Sequence, residues 1–313
     1  MTFRSITAGT GAGSAGNGII LDTTGSSGGL HVTGLDGADA DTNPDAGSGG
    51  TIQHKTGADG AIAGNGIYLN STTDVQLAGM QLNDFDNAAI RGLSVTGFKL
   101  TFSTINGISG NNTGATEGAI TFGTSDPGGA NGLLGTGAQA SLIDNVNVSG
   151  AIEHILEFYN QSGSFGLTIS NSNIHDNSVA GGSDGIQMEM QGTATATVNI
   201  TGNTFSNNKS QGIQLAANDS STINATIRAN TITRGTQGNE GIVLSNGSNG
   251  HLTTLIGGPL RQMATPFPVS VALRSSSGRR PATRPPHRCF RPRSRGTPSP
   301  NQPPGRTTPS SHS

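Results

Sequence analysis

The sequence predicts an all-β fold, a right-handed parallel β-helix (solenoid), on three observations. Short apolar segments recur along the chain, apolar and polar residues alternate inside each segment, and 49 of the 313 residues are glycine. A chain with no tryptophan and two tyrosines lacks the large side chains of a single thick core. We therefore expect about nine or ten thin coils, each burying small aliphatic side chains.

The first repeated pattern is a small residue followed by an apolar, a variable and an apolar residue. Its copies begin at Gly18, Gly66, Ala119, Gly185, Gly212 and Gly241. The segment Leu156-Glu157-Phe158 matches without the small residue. Because side chains alternate along a strand, the apolar members should point into the coil and the variable members should face solvent.

The second repeated pattern is an apolar pair five residues apart, usually with a small residue or asparagine two positions after its first member. Its copies are Leu77/Leu82, Leu100/Ile105, Ile143/Val148, Ile169/Ile174, Ile200/Phe205, Ile227/Ile232 and Leu255/Leu260. The interval between Leu100 and Ile143 leaves room for an extra or an enlarged coil. Asparagine recurs beside these pairs, and it tolerates positive φ and can bond neighbouring turns. The turn asparagines are Asn145, Asn171, Asn203 and Asn230.

Charge and proline content divide the chain into two parts. Residues 1–258 hold all 19 acidic residues and have a net charge of −12, whereas residues 259–313 hold ten arginines and twelve of the 14 prolines. We predict a β-helix over residues 1–260, clearest at 60–258, and a disordered Pro/Arg-rich tail over 261–313. This tail has two interpretations, a polycationic arm or sequence read in a shifted frame, and the abrupt change near Gly257 favours the second.

The stretch from Gly185 to Leu244 contains the repeats GIQM, VNITGNTFSNN, GIQL, ATIRANTI and GIVL. It resembles the parallel β-helix repeats of large bacterial surface proteins, namely autotransporter passengers and polymorphic outer membrane proteins. This resemblance covers residues 60–258 clearly and 1–60 loosely. It implies an extracellular or outer cell-surface location and neighbouring coils in a longer parent chain. Its functional implication is weak, because the same coil serves lyases, hydrolases, adhesins and stalks.

Aligning the first pattern predicts a row of outward side chains, one from each coil. Its members are Tyr68, Thr121, Glu157, Gln187, Gln214 and Val243, with Tyr159 and Glu189 beside them. A groove lined by aromatic rings and amides suits a sugar chain, and Glu157 and Glu189 are the nearby carboxylates. A solvated sheet face has the same pattern, so both interpretations stay open.

A second candidate site is the acidic segment at residues 39–45. Asp39, Asp41, Asn43 and Asp45 place four oxygen donors at alternate positions, an arrangement that calcium accepts. An EF-hand would need glycine at Pro44 and glutamate at Gly50, so a plain acidic loop is the alternative. Calcium is the one cofactor that the sequence suggests.

Two histidines and two aspartates lie close together in the sequence but should fall in different turns. They are His154, His175, Asp176 and Asp184. Their spacing matches no zinc site, and a Ser- and Asp-rich chain produces Ser/His/Asp combinations by chance. We expect these four side chains to be ordinary loop polarity without a catalytic role.

These observations favour a non-catalytic extracellular or cell-surface β-helix, adhesin-like or a structural stalk, over an enzyme. The alternative is a β-helical polysaccharide-binding or polysaccharide-degrading protein, a lyase or glycoside hydrolase. The expected partners are carbohydrate or a neighbouring cell surface, and the net charge of −12 argues against nucleic acid for residues 1–260. The sequence contains no secretion signal and no transmembrane segment, so any export signal should lie outside it.

Overall fold

The computed structural model is a parallel β-helix of three long sheets, which confirms the predicted fold class. It describes residues 1–257 and 271–276, except residues 10, 12, 37–40, 42, 113–116, 126–128, 178–182 and 234–239. Every pair of neighbouring strands in the three sheets runs parallel. Each coil contributes one strand to each sheet in turn, so that equivalent residues of successive coils stack ~4.8 Å apart.

Strands are numbered along the chain, and their order within each sheet is the order in which they lie along the solenoid. Sheet A holds β1 (Thr2–Phe3), β4 (Leu30–Val32), β7 (Val75–Ala78), β11 (Lys99–Thr101), β15 (Ser141–Asp144), β18 (Ser164–Ser170), β21 (Thr195–Thr201), β24 (Thr222–Arg228) and β27 (His251–Gly257). Sheet B holds β2 (Ser14–Ala15), β5 (Gly50–Thr56), β8 (Met80–Phe85), β12 (Thr104–Ser109), β16 (Asn147–Ser149), β19 (Asn173–His175), β22 (Thr204–Ser206) and β25 (Thr231–Ile232).

Sheet C carries the strands that the first sequence pattern marks. It holds β3 (Ile19–Asp22), β6 (Ile67–Asn70), β9 (Ile90–Leu93), β13 (Ile120–Phe122), β17 (Leu156–Asn160), β20 (Ile186–Met190), β23 (Ile213–Ala217), β26 (Ile242–Gly247) and β28 (Val271–Ser276). A separate pair is formed by β10 (Val95–Thr96) and β14 (Leu133–Leu134), and one 3₁₀ turn spans Gly137–Gln139.

The inward side chains form the predicted ladder. The first apolar residues of the sheet C strands align from coil to coil, and those from Ile67 to Ile213 are fully buried. The members of this ladder are Ile67, Ile90, Ile120, Leu156, Ile186 and Ile213. Removal of these aliphatic groups from water is the main favourable term for a solenoid with so few large residues.

Aromatic rings fill the middle coils, where the chain is locally larger. The ring of Phe122 lies 5.0 Å from that of Phe98 and stacks at 6.0 Å on Phe158. In the preceding coil the position equivalent to Phe122 is Gly92, and a Cβ atom there would lie 2.3 Å from the Phe122 ring. Glycine at this position therefore gives the ring its space.

The turn between sheets A and B carries the amide ladder expected from the asparagines. Asn145 and Asn171 have positive φ, as predicted, whereas Asn203 follows Gly202, which takes that conformation instead. Asn203 is buried, its Oδ1 accepts the Ser172 backbone N–H at 3.0 Å, and its own N–H is bonded to Oδ1 of Asn230 at 2.9 Å. Side chains thus satisfy backbone groups of adjacent turns.

One detail of the predicted repeat is corrected at the C-terminal end. The partner of Ile227 in sheet A is Ile256, not Leu255, and Leu255 is 52% exposed. Within the predicted tail, β28 pairs in parallel with β26 of sheet C. The other residues of the predicted disordered tail lie outside the described part of the chain.

The long sequence interval between Leu100 and Ile143 is one enlarged coil, because these two residues are direct register partners in sheet A.

Candidate functional site

The predicted outward row exists in sheet C as a continuous column of register partners. Its order is Ile20, Tyr68, Arg91, Thr121, Glu157, Gln187, Gln214 and Val243. Tyr159 and Glu189 pair in the neighbouring column, two residues further along the same strands. Alignment of the repeat therefore placed these side chains correctly relative to one another.

Sequence reasoning missed Arg91, the only basic side chain among the sheet C column members. Its coil, Ala89-Ile90-Arg91-Gly92, has glycine where the pattern requires a second apolar residue. The sequence feature that could have identified this coil is Ala89-Ile90, a small residue followed by isoleucine, which begins 23 residues after Gly66. The inserted Phe122 ring removes the need for an apolar side chain at position 92.

The expectation that the whole row faces solvent is wrong for Tyr68, Thr121, Glu157 and Val243, which are buried. Thr121 and Glu157 are 0% and 1% exposed, and Tyr68 is buried at 8%. Gln187 and Gln214 are half-buried. The coils before Gln187 also contain segments outside the three sheets, such as residues 110–112 and 150–155, so strand alternation alone does not determine exposure there.

Glu157 is the most perturbed group of this column. The Thr121 hydroxyl donates to its Oε2 at 2.9 Å, and Nε2 of His154 lies 3.9 Å from its Oε1. Loss of hydration raises the pKa of Glu157 to about 7, although His154 opposes this rise. The carboxyl group therefore exchanges its proton near neutral pH.

His154 and Asp184 fall in different turns, as predicted, but adjacent coils bring them into contact. Nδ1 of His154 lies 3.4 Å from Oδ2 of Asp184 and 3.2 Å from its backbone nitrogen. Burial lowers the pKa of His154, but Asp184 and Glu157 outweigh it, and the pKa is raised overall. His175 and Asp176 contact each other at 2.7 Å next to β19 in sheet B, so the four residues form two separate pairs.

Two further carboxylates extend this cluster towards the preceding coil. Oε2 of Glu153 accepts the Glu117 backbone N–H at 2.8 Å. Oε2 of Glu117 accepts the backbone N–H groups of Asn111 and Asn112 at 2.7 and 3.0 Å, while its buried Oε1 has no hydrogen-bond partner. Burial raises the pKa of Glu117. We call Arg91, Glu117, Glu153, His154, Glu157 and Asp184 the acidic cluster.

Arg91 is the cation that faces these acids. Burial lowers its pKa, and the nearby Glu157, Tyr68 and Glu117 oppose that effect. A guanidinium remains protonated under such conditions. The acidic cluster therefore contains one permanent positive charge, and its histidine carries a second when protonated.

The half-buried part of the row forms a polar patch that is rich in amides. Oε1 of Glu189 accepts from Gln191 at 2.8 Å and from Asn218 at 3.0 Å, and Oε1 of Gln187 is buried without a hydrogen-bond partner. Tyr159 beside it is 6% exposed, and burial raises the pKa of its hydroxyl. We call Gln187, Glu189, Gln191, Gln214 and Asn218 the amide patch.

The calcium prediction is only partly covered by the structure. Asp39 lies outside the described residues, and Asp41, Asn43 and Asp45 lie in the insertion between β4 and β5. Oδ1 of Asp41 accepts the Asn43 backbone N–H at 2.8 Å, a local turn that needs no ion. Among the described residues no group of three His, Cys, Asp or Glu side chains is arranged to hold a metal. Calcium binding at this loop stays a prediction.

Comparison with known proteins agrees with the architecture. A family model described as right handed beta helix region matches residues 45–232, which is more than half of the chain. The chain belongs to the right-handed β-helix family. No curated protein and no solved structure matches this β-helix protein. Within the described residues, no helix has the length and apolar character to cross a bilayer.

The acidic cluster and the amide patch of this β-helix protein differ in what they can do. The cluster can hold and exchange protons, because Glu157 titrates near neutrality beside an imidazole. Its carboxyl group is almost inaccessible, however, with 1% exposure. The amide patch reaches solvent and offers hydrogen-bond donors and acceptors without a dense charge, which is the usual requirement for neutral polar ligands.

Proposed function

We propose that this protein is a non-catalytic, adhesin-like β-helix of the cell surface that binds a neutral glycan along sheet C. The observation that carries this proposal is the register that aligns Gln187 with Gln214 in adjacent coils. Amide side chains ~4.8 Å apart offer repeated donors and acceptors to a chain of sugar hydroxyls.

Charge supports a neutral rather than an acidic glycan. Residues 1–258 have a net charge of −12, and Glu157 belongs to the same sheet C column as Gln187 and Gln214. A uronate chain would be repelled, and the half-buried Arg91 interacts with Glu157 and Glu117 rather than with the amide patch. A surface role agrees with the resemblance to bacterial surface β-helices.

Binding to immobilised polysaccharides tests this function. We expect the protein to retain neutral glucans or mannans over polygalacturonate, and Gln214→Ala to weaken retention by about tenfold, equivalent to ~1.4 kcal/mol. Asn224→Ala is the matched control, because Asn224 is an exposed amide on sheet A. Equal binding by both variants, or retention of the acidic polymer alone, would exclude this site.

One observation favours a second candidate, cleavage of the bound glycan. A carboxyl group with a pKa of about 7 beside His154 is suited to general acid catalysis. Such catalysis requires the buried carboxyl group of Glu157 to become accessible to the bound glycan. Release of reducing ends from a neutral glycan, lost in Glu157→Gln but kept in Asn224→Ala, would replace the non-catalytic proposal.

A further inference from the structure

A surface pocket of about 460 Å³ lies at the C-terminal end of the sheet B strands and shares no lining residue with the sheet C column. Its walls come from five successive levels of the chain, so it is elongated along the solenoid axis. In axial order the lining residues include His54 and Lys55, then Asp84 and Asp86, then Ile108 and finally Ile152.

One end of the pocket is cationic. Lys55 is 4% exposed, and its Nζ donates to the Ser14 hydroxyl at 3.1 Å. Among the described residues, no carboxylate lies within ion-pair distance of this ammonium. An ammonium group has three protons to donate, and its burial is costly unless they are satisfied. The buried Lys55 therefore favours an anionic group as its ligand.

The middle of the pocket is acidic. Oδ2 of Asp86 accepts the Gly57 backbone N–H at 3.0 Å. Asp84 has 46% of its side chain exposed, and its Oδ2 lies 3.5 Å from Nδ1 of His54. Phe85 is the register partner of Lys55 in the next coil, and Asp86 directly follows Phe85. The aspartates therefore lie one coil, ~4.8 Å along the axis, from the coil of Lys55.

The far end of the pocket is apolar because of a β-bulge. The register of β12 against β8 shifts by one residue between Asn106 and Ser109, and Ile108 within this bulge is 53% exposed. The Ile108 backbone N–H donates to Oδ1 of Asp84 at 3.0 Å, which fixes the bulge. Ile152 of the next coil continues this apolar wall. Bulges of this kind re-aim side chains towards binding sites.

We propose that this pocket binds a small zwitterion with an apolar substituent, an aliphatic α-amino acid. Its carboxylate would pair with Lys55, its ammonium with Asp86 and Asp84, and its side chain would cover Ile108. The order of cation, carboxylates and apolar wall along the axis matches the order of groups in such a ligand. A simple anion would be repelled by the two aspartates and a simple amine by the lysine.

Calorimetric titration with L-leucine tests the proposal on the full chain. Leucine should bind, whereas isopentylamine, which lacks the carboxylate, and 4-methylpentanoate, which lacks the ammonium, should bind at least about tenfold more weakly. Lys55→Met should abolish the preference for leucine over the amine, and Asp86→Asn should abolish its preference over the acid. Asp22→Asn, a change of an exposed aspartate in sheet C, should leave all three affinities unchanged.

Thermal unfolding of each variant shows whether the β-helix is intact. Because the two pocket variants should lose preference for different analogues, a general folding defect cannot imitate the expected pattern. The proposal is overturned if leucine does not bind the intact protein, if the amine or the acid binds as tightly as leucine, or if both pocket variants keep the original preferences. The glycan assay is unaffected by these outcomes, since the pocket and the amide patch share no residue.

Discussion

The hydroxyl of Thr121 donates a 2.9 Å hydrogen bond to Oε2 of Glu157, and both side chains are buried on the outer side of sheet C. These residues are register partners in adjacent coils. The contact therefore exists only because the chain winds once around the solenoid between them. The hydrogen bond joins Thr121 to the Glu157 carboxyl group, which titrates near neutral pH.

Stability should fall as the pH rises through neutrality. The pKa of Glu157 is raised from 4.5 to about 7 in the folded protein, and that of His154 is raised above 6.5. Both groups bind protons more tightly when folded, so their stabilisation is complete below the unfolded pKa values and is lost above the folded ones. For Glu157 the loss amounts to about 3 kcal/mol. Urea unfolding at pH 5 and pH 8.5 measures it.

Glu157→Gln is the control for this pH dependence. The amide cannot ionise, and its oxygen can still accept the Thr121 hydrogen bond. We expect the variant to keep its stability at pH 8.5 and to show a flatter pH profile between pH 5 and 8.5. A variant profile as steep as that of the original protein would assign the effect to other groups.

Thr121→Val should raise the pKa of Glu157 further. The hydroxyl of Thr121 stabilises the ionised carboxylate and so lowers that pKa, and valine keeps the shape without the donor. Carboxyl ¹³C chemical shifts of Glu157 across a pH titration measure the change. Removal of the hydrogen bond should also destabilise the fold by about 1 kcal/mol at pH 8.5. An unchanged or lower midpoint would contradict the contact.

Asn203→Ala should destabilise the fold by about 2–4 kcal/mol. The change removes the acceptor of the Ser172 backbone N–H and the donor to the Ile169 carbonyl at 2.9 Å, and each buried unsatisfied group costs roughly 1–3 kcal/mol. Asn224→Ala, at an exposed position, should change stability by less than about 0.5 kcal/mol. Equal effects in chemical denaturation would show that the turn ladder is not stabilising.

Gly92→Ala should destabilise the middle coils by about 1–3 kcal/mol, because the new methyl group meets the Phe122 ring at 2.3 Å. Gly11→Ala is its control, since nothing lies within 4 Å of a Cβ atom there. Thermal unfolding compares the two variants. A larger loss for Gly11→Ala would mean that the ring is not confined as described.

The candidate site was predictable where the repeat was regular. Gln187 and Gln214 follow matching glycine-isoleucine steps, so their alignment needed only the period. Arg91 was missed because Gly92 breaks the pattern, and Phe122, which explains that glycine, lies 30 residues further along the chain. His154 and Asp184 each lie two residues before the register partners Leu156 and Ile186, and they were missed because the repeated patterns do not include these positions.

The sequence alone determined the solenoid, its recurring short strands and the ladder of inward aliphatic residues, because these depend on local periodicity and on removing apolar side chains from water. Only the tertiary structure decided that Glu157 is buried, that it shares His154 with Asp184, and that Lys55 and Asp86 line one pocket. Burial and charge environment depend on which irregular segments cover a strand and on contacts between coils. Neither quantity is encoded in the period of a repeat.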